Sequence, residues 1–306
     1  MLPCMTEGLP FHVDEVRAER RHAGEIDRTR RRLGRAAGAK RLGVALIEIP
    51  PGCRSTPPHS HADEDELFLV LSGSGLVYQL SARGQARTWE IGVDDLLWHP
   101  GNGDAHALVA GDDGLTVLVV SEGSRTRITH LPRTQQFWLG PHWTPGDSPH
   151  PFDADAALGP LELPEPTRRR PPTIRNLADL PLHEGREGRL AYATRDARDM
   201  GSDKLVLAQD AMPPDTHTTD LHFHSAREEA WYVRSGGGIA RLGDEGYELR
   251  PGSFWLRREN TGVGHRIEVG PKGMELVTMG DLVGGDVVVY PEKRTFKPAR
   301  GVELPY

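Results

Sequence analysis

The sequence predicts an all-β protein made of two like halves, each an antiparallel sandwich or barrel. Three observations carry this. Short strand-like runs follow one another from Leu42: GVALIEIP, ELFLVLSG, GLVYQLS, ARTWEI, DDLLWHPG and LTVLVVSE. Each closes on Gly, Pro, Asp or Ser, with no helical period between them. Glycine (35) and proline (25) are plentiful, as turns between many strands require. Finally, one string occurs twice: His59-Ser60-His61, Glu66 and Gly73 are matched 163 residues later by His222-Phe223-His224, Glu229 and Gly236. An interval of that length is a domain, not a solenoid unit, and 306 residues suit about two domains.

In chain order, residues 1–40 read as an arginine-rich arm, with Arg17, Arg20, Arg21, Arg28, Arg30, Arg31, Arg32 and Arg35 among Glu19, Glu25 and Asp27. Such a run is more often a solvated face or a wrapped arm than an anion-binding segment. The first barrel is expected over 41–130. Residues 131–188 form a proline-rich connector, where ten prolines from Pro132 to Pro172 forbid a long helix or a central strand. Phe137, Trp138, Trp143 and Phe152 are too apolar for a free linker and hold the connector against a surface. The second barrel is expected over 189–290, through LAYATR, DKLVLAQDAM, AWYVRSG, GIARLG, FWLRR, HRIEVG and MELVTMGDL, and a tail over 291–306.

A net charge of −7 argues against a dedicated nucleic-acid binder. With two cysteines, Cys4 and Cys53, no apolar run of membrane length and no secretory signal pattern, a cytoplasmic protein without a membrane partner is expected.

In each HxH the two histidines share one face of an extended strand, because side chains alternate across the pleat. The following glutamate adds an oxygen donor, and three convergent N and O donors begin a divalent metal site. A further histidine after Gly-x-x, His106 or His265, supplies a fourth. Two such strings in step are far stronger evidence than a lone HxH. The other histidines (12, 22, 99, 130, 142, 150, 183, 217) lack this company, with His99 and His217 the nearest to the motifs.

These residues resemble the cupin superfamily, and two copies make the chain resemble a bicupin. The family's first motif is matched at Gly52, His59, His61, Glu66 and Gly73, with one extra residue after Gly52, and again at His222, His224, Glu229 and Gly236, without the upstream glycine. The second motif is matched at Gly92, Pro100, Gly103 and His106, and at Gly252, Gly262 and His265. Its closing Asn is missing from both, Ala110 standing in the first. The first half is also similar to small bacterial cupins of unassigned function, through LGVALIEIPPGCRSTPPHSHADEDELFLVLSG. The resemblance covers roughly 40–125 and 200–285. It implies two jelly-roll (double-stranded β-helix) barrels, each holding a metal through three histidines and one glutamate.

Such a set leaves charge +1 on a divalent ion and positions open to water, substrate or O2, which favours catalysis over a closed structural site. Fe(II) is the first expectation, with Mn, Ni, Cu or Zn as alternatives, one or two ions per chain. The leading function is an Fe(II) dioxygenase on a small enol, aromatic or hydroxy acid. Alternatives are a non-redox isomerase, epimerase or decarboxylase, in which the ion acts as a Lewis acid, and a small-ligand-binding or sensing barrel without turnover. Phe68, Tyr78, Trp98, Trp231 and Trp255 are pocket candidates, with Arg241 or Arg257 to fork a substrate carboxylate. The aromatic and arginine content near the second set points to it as the substrate site. A homodimer could build on the paired halves.

Overall fold

The computed structural model describes residues 8–123, 127–140, 142–145, 149–298 and 304–305. Cys4 lies outside the described residues, and Cys53 is a free, half-buried thiol. Two compact units form. One is Arg17–Arg32 with Val44–Asp179; the other is the segment up to Val16, Leu33–Gly43 and everything from Leu180. The arm expected over 1–40 is therefore divided between the units. Strand β1 (Phe11–His12) and the one-turn helix α1 (Leu33–Ala36) go to the C-terminal unit, and the hairpin β2 (Ala18–Ala23)–β3 (Ile26–Arg31) goes to the N-terminal one.

In the N-terminal unit the main strands are β4 (Leu42–Ile49), β6 (Glu66–Leu80), β7 (Ala86–Gly92), β8 (Asp95–His99), β9 (Ala105–Glu122) and β13 (Ile174–Asn176). They make an antiparallel sheet in the order β13-β8-β6-β9-β4-β3-β2, with β7 paired to β6. A four-stranded sheet joins β5 (Ser60–His61) to β10 (Ile128–Leu131), β11 (Gln136–Leu139) and β12 (His142–Thr144). Of the connector's aromatics, Phe137, Trp138 and Trp143 thus sit on strands of the sheet that holds the HxH, and Phe152 sits on a helix. That helix, α2 (Pro151–Ala157), starts on a proline, where the missing N–H costs nothing. Arg54 and Arg133 fasten this helix: their guanidinium nitrogens donate to buried Asp155 Oδ2 at 2.6 and 3.1 Å.

The C-terminal unit repeats this plan. Strands β16 (Leu205–Met212), β18 (Glu229–Leu242), β19 (Glu245–Leu249), β20 (Ser253–Arg257) and β21 (His265–Asp281) pair with the hairpin β14 (His183–Glu187)–β15 (Leu190–Asp196) in the order β1-β20-β18-β21-β16-β15-β14. The second sheet joins β17 (Phe223–His224) to β22 (Val287–Tyr290), β23 (Thr295–Pro298) and β24 (Leu304–Pro305). The repeat is therefore longer than its motifs. Hairpin β2–β3 answers β14–β15, edge strand β1 answers β13, and the tail answers the strands that open the connector.

Apolar residues of alternate parity fill each interior: Ile47, Val70, Val77, Leu108, Val117 and Val119 in one, Val233, Ala240, Leu249, Ile267 and Leu276 in the other. The two motif glycines sit at matching bulges, β6 against β9 and β18 against β21. Gly73 and Gly236 have φ of +78° and +74°, and a Cβ on either would run into the Gly114 or Gly273 carbonyl oxygen. No helix among the described residues is long and apolar enough to cross a membrane.

Candidate metal centres

His59 and His106 are held by paired backbone bonds, His59 N–H to His106 C=O at 3.1 Å and His106 N–H to His59 C=O at 2.8 Å. His61 ends β5 and Glu66 begins β6. The loop and the starts of two strands thus bring four donors within 4.8 Å of one another. The Glu66 Oε2 oxygen lies 4.0, 3.2 and 3.0 Å from Nε2 of His59, His61 and His106. His222 and His265 are bridged in the same way, at 3.2 and 2.7 Å. There Glu229 Oε2 lies 3.6, 3.2 and 3.4 Å from Nε2 of His222, His224 and His265. His222, His224 and Glu229 form the tighter cluster; His265 is outside their mutual 4.8 Å limit.

The other ring nitrogens fix the HxH rings. His59 Nδ1 meets Pro57 C=O at 3.1 Å and His61 Nδ1 meets Thr129 Oγ1 at 3.2 Å. His222 Nδ1 meets Asp220 C=O at 3.0 Å, and His224 Nδ1 meets Asp286 Oδ2 at 2.6 Å. These contacts leave Nε2 of each ring to ligate, and they are the outer partners that metal-bound histidines ordinarily use. His61 Nε2 is buried and, although near Glu66, makes no aligned hydrogen bond with it. Several nitrogens converge on one oxygen, and only those of His106 and His265 are aligned to hydrogen-bond it, which fits a shared ion, so both donor sets suit a divalent metal of borderline softness.

Electrostatics divides the histidines while keeping Glu66 ionised. Burial opposes ionisation of Glu66, but His61 and His106 outweigh it and hold its pKa well below the usual range. Burial, then His106 and His61, push His59 well below the ordinary histidine value, which keeps a ligating nitrogen unprotonated. In the second centre burial takes His265 down to about 3. His224 moves the other way, to about 9, because Glu229 and Asp286 outweigh its burial.

The two centres differ in access. His222, His224, Glu229 and His265 are all buried, and Arg227 contacts Glu229 Oε1 at 3.3 Å. In the first centre only His106 is fully buried. A cavity of about 380 Å³ opens on it, and its walls include Arg28, Arg30, Arg32, Arg127, Trp138 and Trp143.

Residues 45–121 match the family model described as the cupin domain. Among solved structures, oxalate decarboxylase from Bacillus subtilis at pH 4.6 is 16% identical, covering 90% of this chain and 76% of its own, with a TM-score of 0.61. A variant of that Bacillus subtilis enzyme gives 17% identity, 92% and 79% coverage and a TM-score of 0.63. A third structure, described by its Mn(II) centres, gives 15%, 92%, 79% and 0.61. By fold the chain is a bicupin. No curated protein matches it.

The fold places the predicted pocket residues unevenly. Phe68 lines the first cavity, its ring 5.7 Å from that of His106. Trp231 and Trp255 stand 5.3 and 5.8 Å from the His265 ring within the second core. Tyr78 and Trp98 take the opposite parity from inward Val77 and Leu97. Tyr78 borders a separate cleft with Arg133, and Trp98 Nε1 donates to Asp65 at 2.9 Å. Arg241 faces outward beside buried Ala240 and pairs with Glu268 at 2.7 Å. Arg257 does lie inside, in the register place opposite Glu229, but it donates to Gly8 C=O at 3.0 Å. The corresponding place opposite Glu66 holds His99, stacked on His106 with ring centres 3.8 Å apart.

Sequence reasoning passed over the arginines of the arm and Trp138 and Trp143 as wall residues. A signal existed: in IDRTRRR, arginines 28, 30 and 32 recur with the period of a strand. It was hidden because nothing in the sequence pairs that strand with β4, 11 residues further on.

Proposed function

We propose that the bicupin is a metal-dependent, non-redox enzyme, a decarboxylase or an isomerase, acting on a small organic acid at the first centre. The observation that carries this is the arginine-lined cavity over His59, His61, Glu66 and His106. Four guanidinium groups among its walls suit an anion, and the half-buried ligand set leaves the site open to one. The second centre, buried and braced by Arg227, is read as chiefly structural, which reverses the assignment that composition suggested. Mn(II) is the preferred ion, in keeping with the Mn(II) centres of the oxalate decarboxylase that shares the fold. Bound there, a divalent ion supplies a Lewis acid for a carboxylate or carbonyl oxygen.

The chain's own residues do the rest. Arginines on β3 and in the segment before β10 orient the acid. Thr129 and Pro57 hold the rings of His61 and His59 so that their Nε2 atoms converge. Phe68, Val117, Val119 and the two tryptophans give the cavity a partly apolar wall, which strengthens the charge interactions within it. Glu64 sits beneath, with its pKa raised to about 7 by burial and by Glu66 and with Arg127 3.1 Å from Oε1. It tunes the charge around His61, 3.6 Å away.

Iron and O2 chemistry is the second reading, since the same open ligand set serves it. The test is metal analysis of protein purified without added metal, followed by turnover of small mono-, di- and oxo-carboxylates under argon. Turnover that persists without O2 and is lost in His59→Ala/His61→Ala supports the non-redox reading. Iron at stoichiometric level with strict O2 dependence overturns it in favour of a dioxygenase. The setting read from the sequence, a cytoplasmic protein pairing as a homodimer, belongs to the same proposal.

A further inference from the structure

On β3 the charges divide by face. Asp27 and Arg31 point one way and are paired, with Arg20 (2.6 Å) and with Glu48. Arg28 and Arg30 lie on the other face, with the fully buried Ile26, and both line the first cavity. The remaining arginines of the wall have partners: Arg32 meets Glu19 at 2.9 Å and Arg127 meets Glu64 at 3.1 Å. Among the described residues no carboxylate pairs with Arg28 or Arg30. Arg28 lies over the Phe152 ring at 5.1 Å, and Arg30 Nε is buried without a hydrogen-bond partner. Burial and the neighbouring arginines lower the two to about 9 and about 10, so both remain charged near neutrality.

Two adjacent cations with no carboxylate in contact, only the more distant pull of Glu66 and Glu19, are unfavourable in a half-buried wall, and offsetting the repulsion is what a bound anion would do. The cavity also has room: about 380 Å³ lies within the range of sites that take ligands of many heavy atoms. Trp138 and Trp143, on neighbouring strands with ring centres 4.9 Å apart, flank the space with flat apolar surface.

We infer that Arg28 and Arg30 form an oxyanion subsite, so that the acid held at the first centre carries a second anionic group, a carboxylate or phosphonate-like oxyanion, at its far end. This rests on the reading of the first centre as the substrate site and extends it. The hairpin from the N-terminal arm is then a specificity element: it selects dianions over monoanions of equal length.

The test uses the full chain loaded with Mn(II), read by calorimetry and by tryptophan fluorescence. Dicarboxylates from oxalate to adipate, and phosphonoacetate, are compared with monocarboxylates of the same length. The wild type is expected to bind at least one dianion about tenfold or more tighter than its monoanion. In Arg28→Gln/Arg30→Gln that preference disappears, dianions binding no tighter than monoanions, while Mn content stays within about twofold. Arg28→Lys/Arg30→Lys keeps both charges but loses the planar forks, and it is expected to retain only part of the preference. If the glutamine pair does not fold, the lysine pair decides: full retention overturns the subsite and partial loss supports it. Wild-type protein that binds dianions no tighter than monoanions overturns it outright. Arginine-dependent dianion binding without turnover of any acid leaves the subsite standing and removes the catalytic reading. Turnover of monoacids with no dianion preference does the reverse.

Discussion

Asp286 illustrates how much of each centre is decided outside its ligands. Its Oδ2 holds His224 Nδ1 at 2.6 Å, and its Oδ1 accepts from Ala226 N–H at 2.9 Å. Burial would raise its pKa, but His224 and two backbone N–H groups bring it to about 2. A carboxylate depressed in this way adds stability in full above the ordinary aspartate value of about 3.9, and loses it as pH falls from there through about 2. Asp286→Asn is expected to flatten that part of the acid unfolding curve and to weaken metal binding at the second centre by about 10–100-fold. Acid unfolding followed by circular dichroism, with a metal titration of a His59→Ala/His61→Ala background, checks both. The convergence of the candidate ligands was legible residue by residue, because HxH on a strand has one geometric consequence. Asp286 was not, since it lies 62 residues from His224 in sequence and only the pairing of β17 with β22 brings it near.

At the scale of elements, two features set the frame around the first centre. The bulge at Gly73 lets β6 bend past β9, and no side chain fits there. Gly73→Ala combines a left-handed backbone with a steric clash, so thermal unfolding should reveal a loss of about 2 kcal/mol or more. The same substitution at Gly236 should cost as much, because the bulge recurs there. The second feature is the fastening of α2. Asp155 is fully buried between Arg54, itself 2% exposed, and Arg133. Asp155→Ala leaves the buried Arg54 guanidinium with only the partly exposed Glu25, 3.7 Å away, and is expected to cost about 3 kcal/mol by denaturant unfolding. A change near zero would show that solvent reaches Arg54. Strand runs and motif glycines were readable here because alternation and turn residues are local properties. The strands at 128–144 were not: Pro132 follows the first and Pro145 the last, and proline density reads as a connector when the partner strand is unknown.

At the scale of the whole chain, the repeat reaches beyond its motifs. Each half supplies an edge strand, a hairpin, a barrel and a second small sheet. The motifs alone covered the middle of this plan, which is why the arm, connector and tail read as additions. Their pairing partners are distant in sequence, and edge strands of two or three residues carry too short a pattern to announce themselves. Access to the two centres follows the departures from the repeat more than the repeat itself. Where one half places Arg227, the other places Glu64, and where one places Arg257 opposite the ligand glutamate, the other places His99. The result is one buried centre and one open centre. Stripping metal with a chelator should therefore lower the melting temperature more in His59→Ala/His61→Ala, which keeps the buried centre, than in His222→Ala/His224→Ala.

The most direct test of an open first centre is the Mn(II) electron paramagnetic resonance spectrum of those two variants, before and after adding a dicarboxylate such as succinate. If the first centre receives the acid, the spectrum changes in His222→Ala/His224→Ala and stays the same in His59→Ala/His61→Ala. A change seen only in His59→Ala/His61→Ala would place the acid at the second centre and contradict the account.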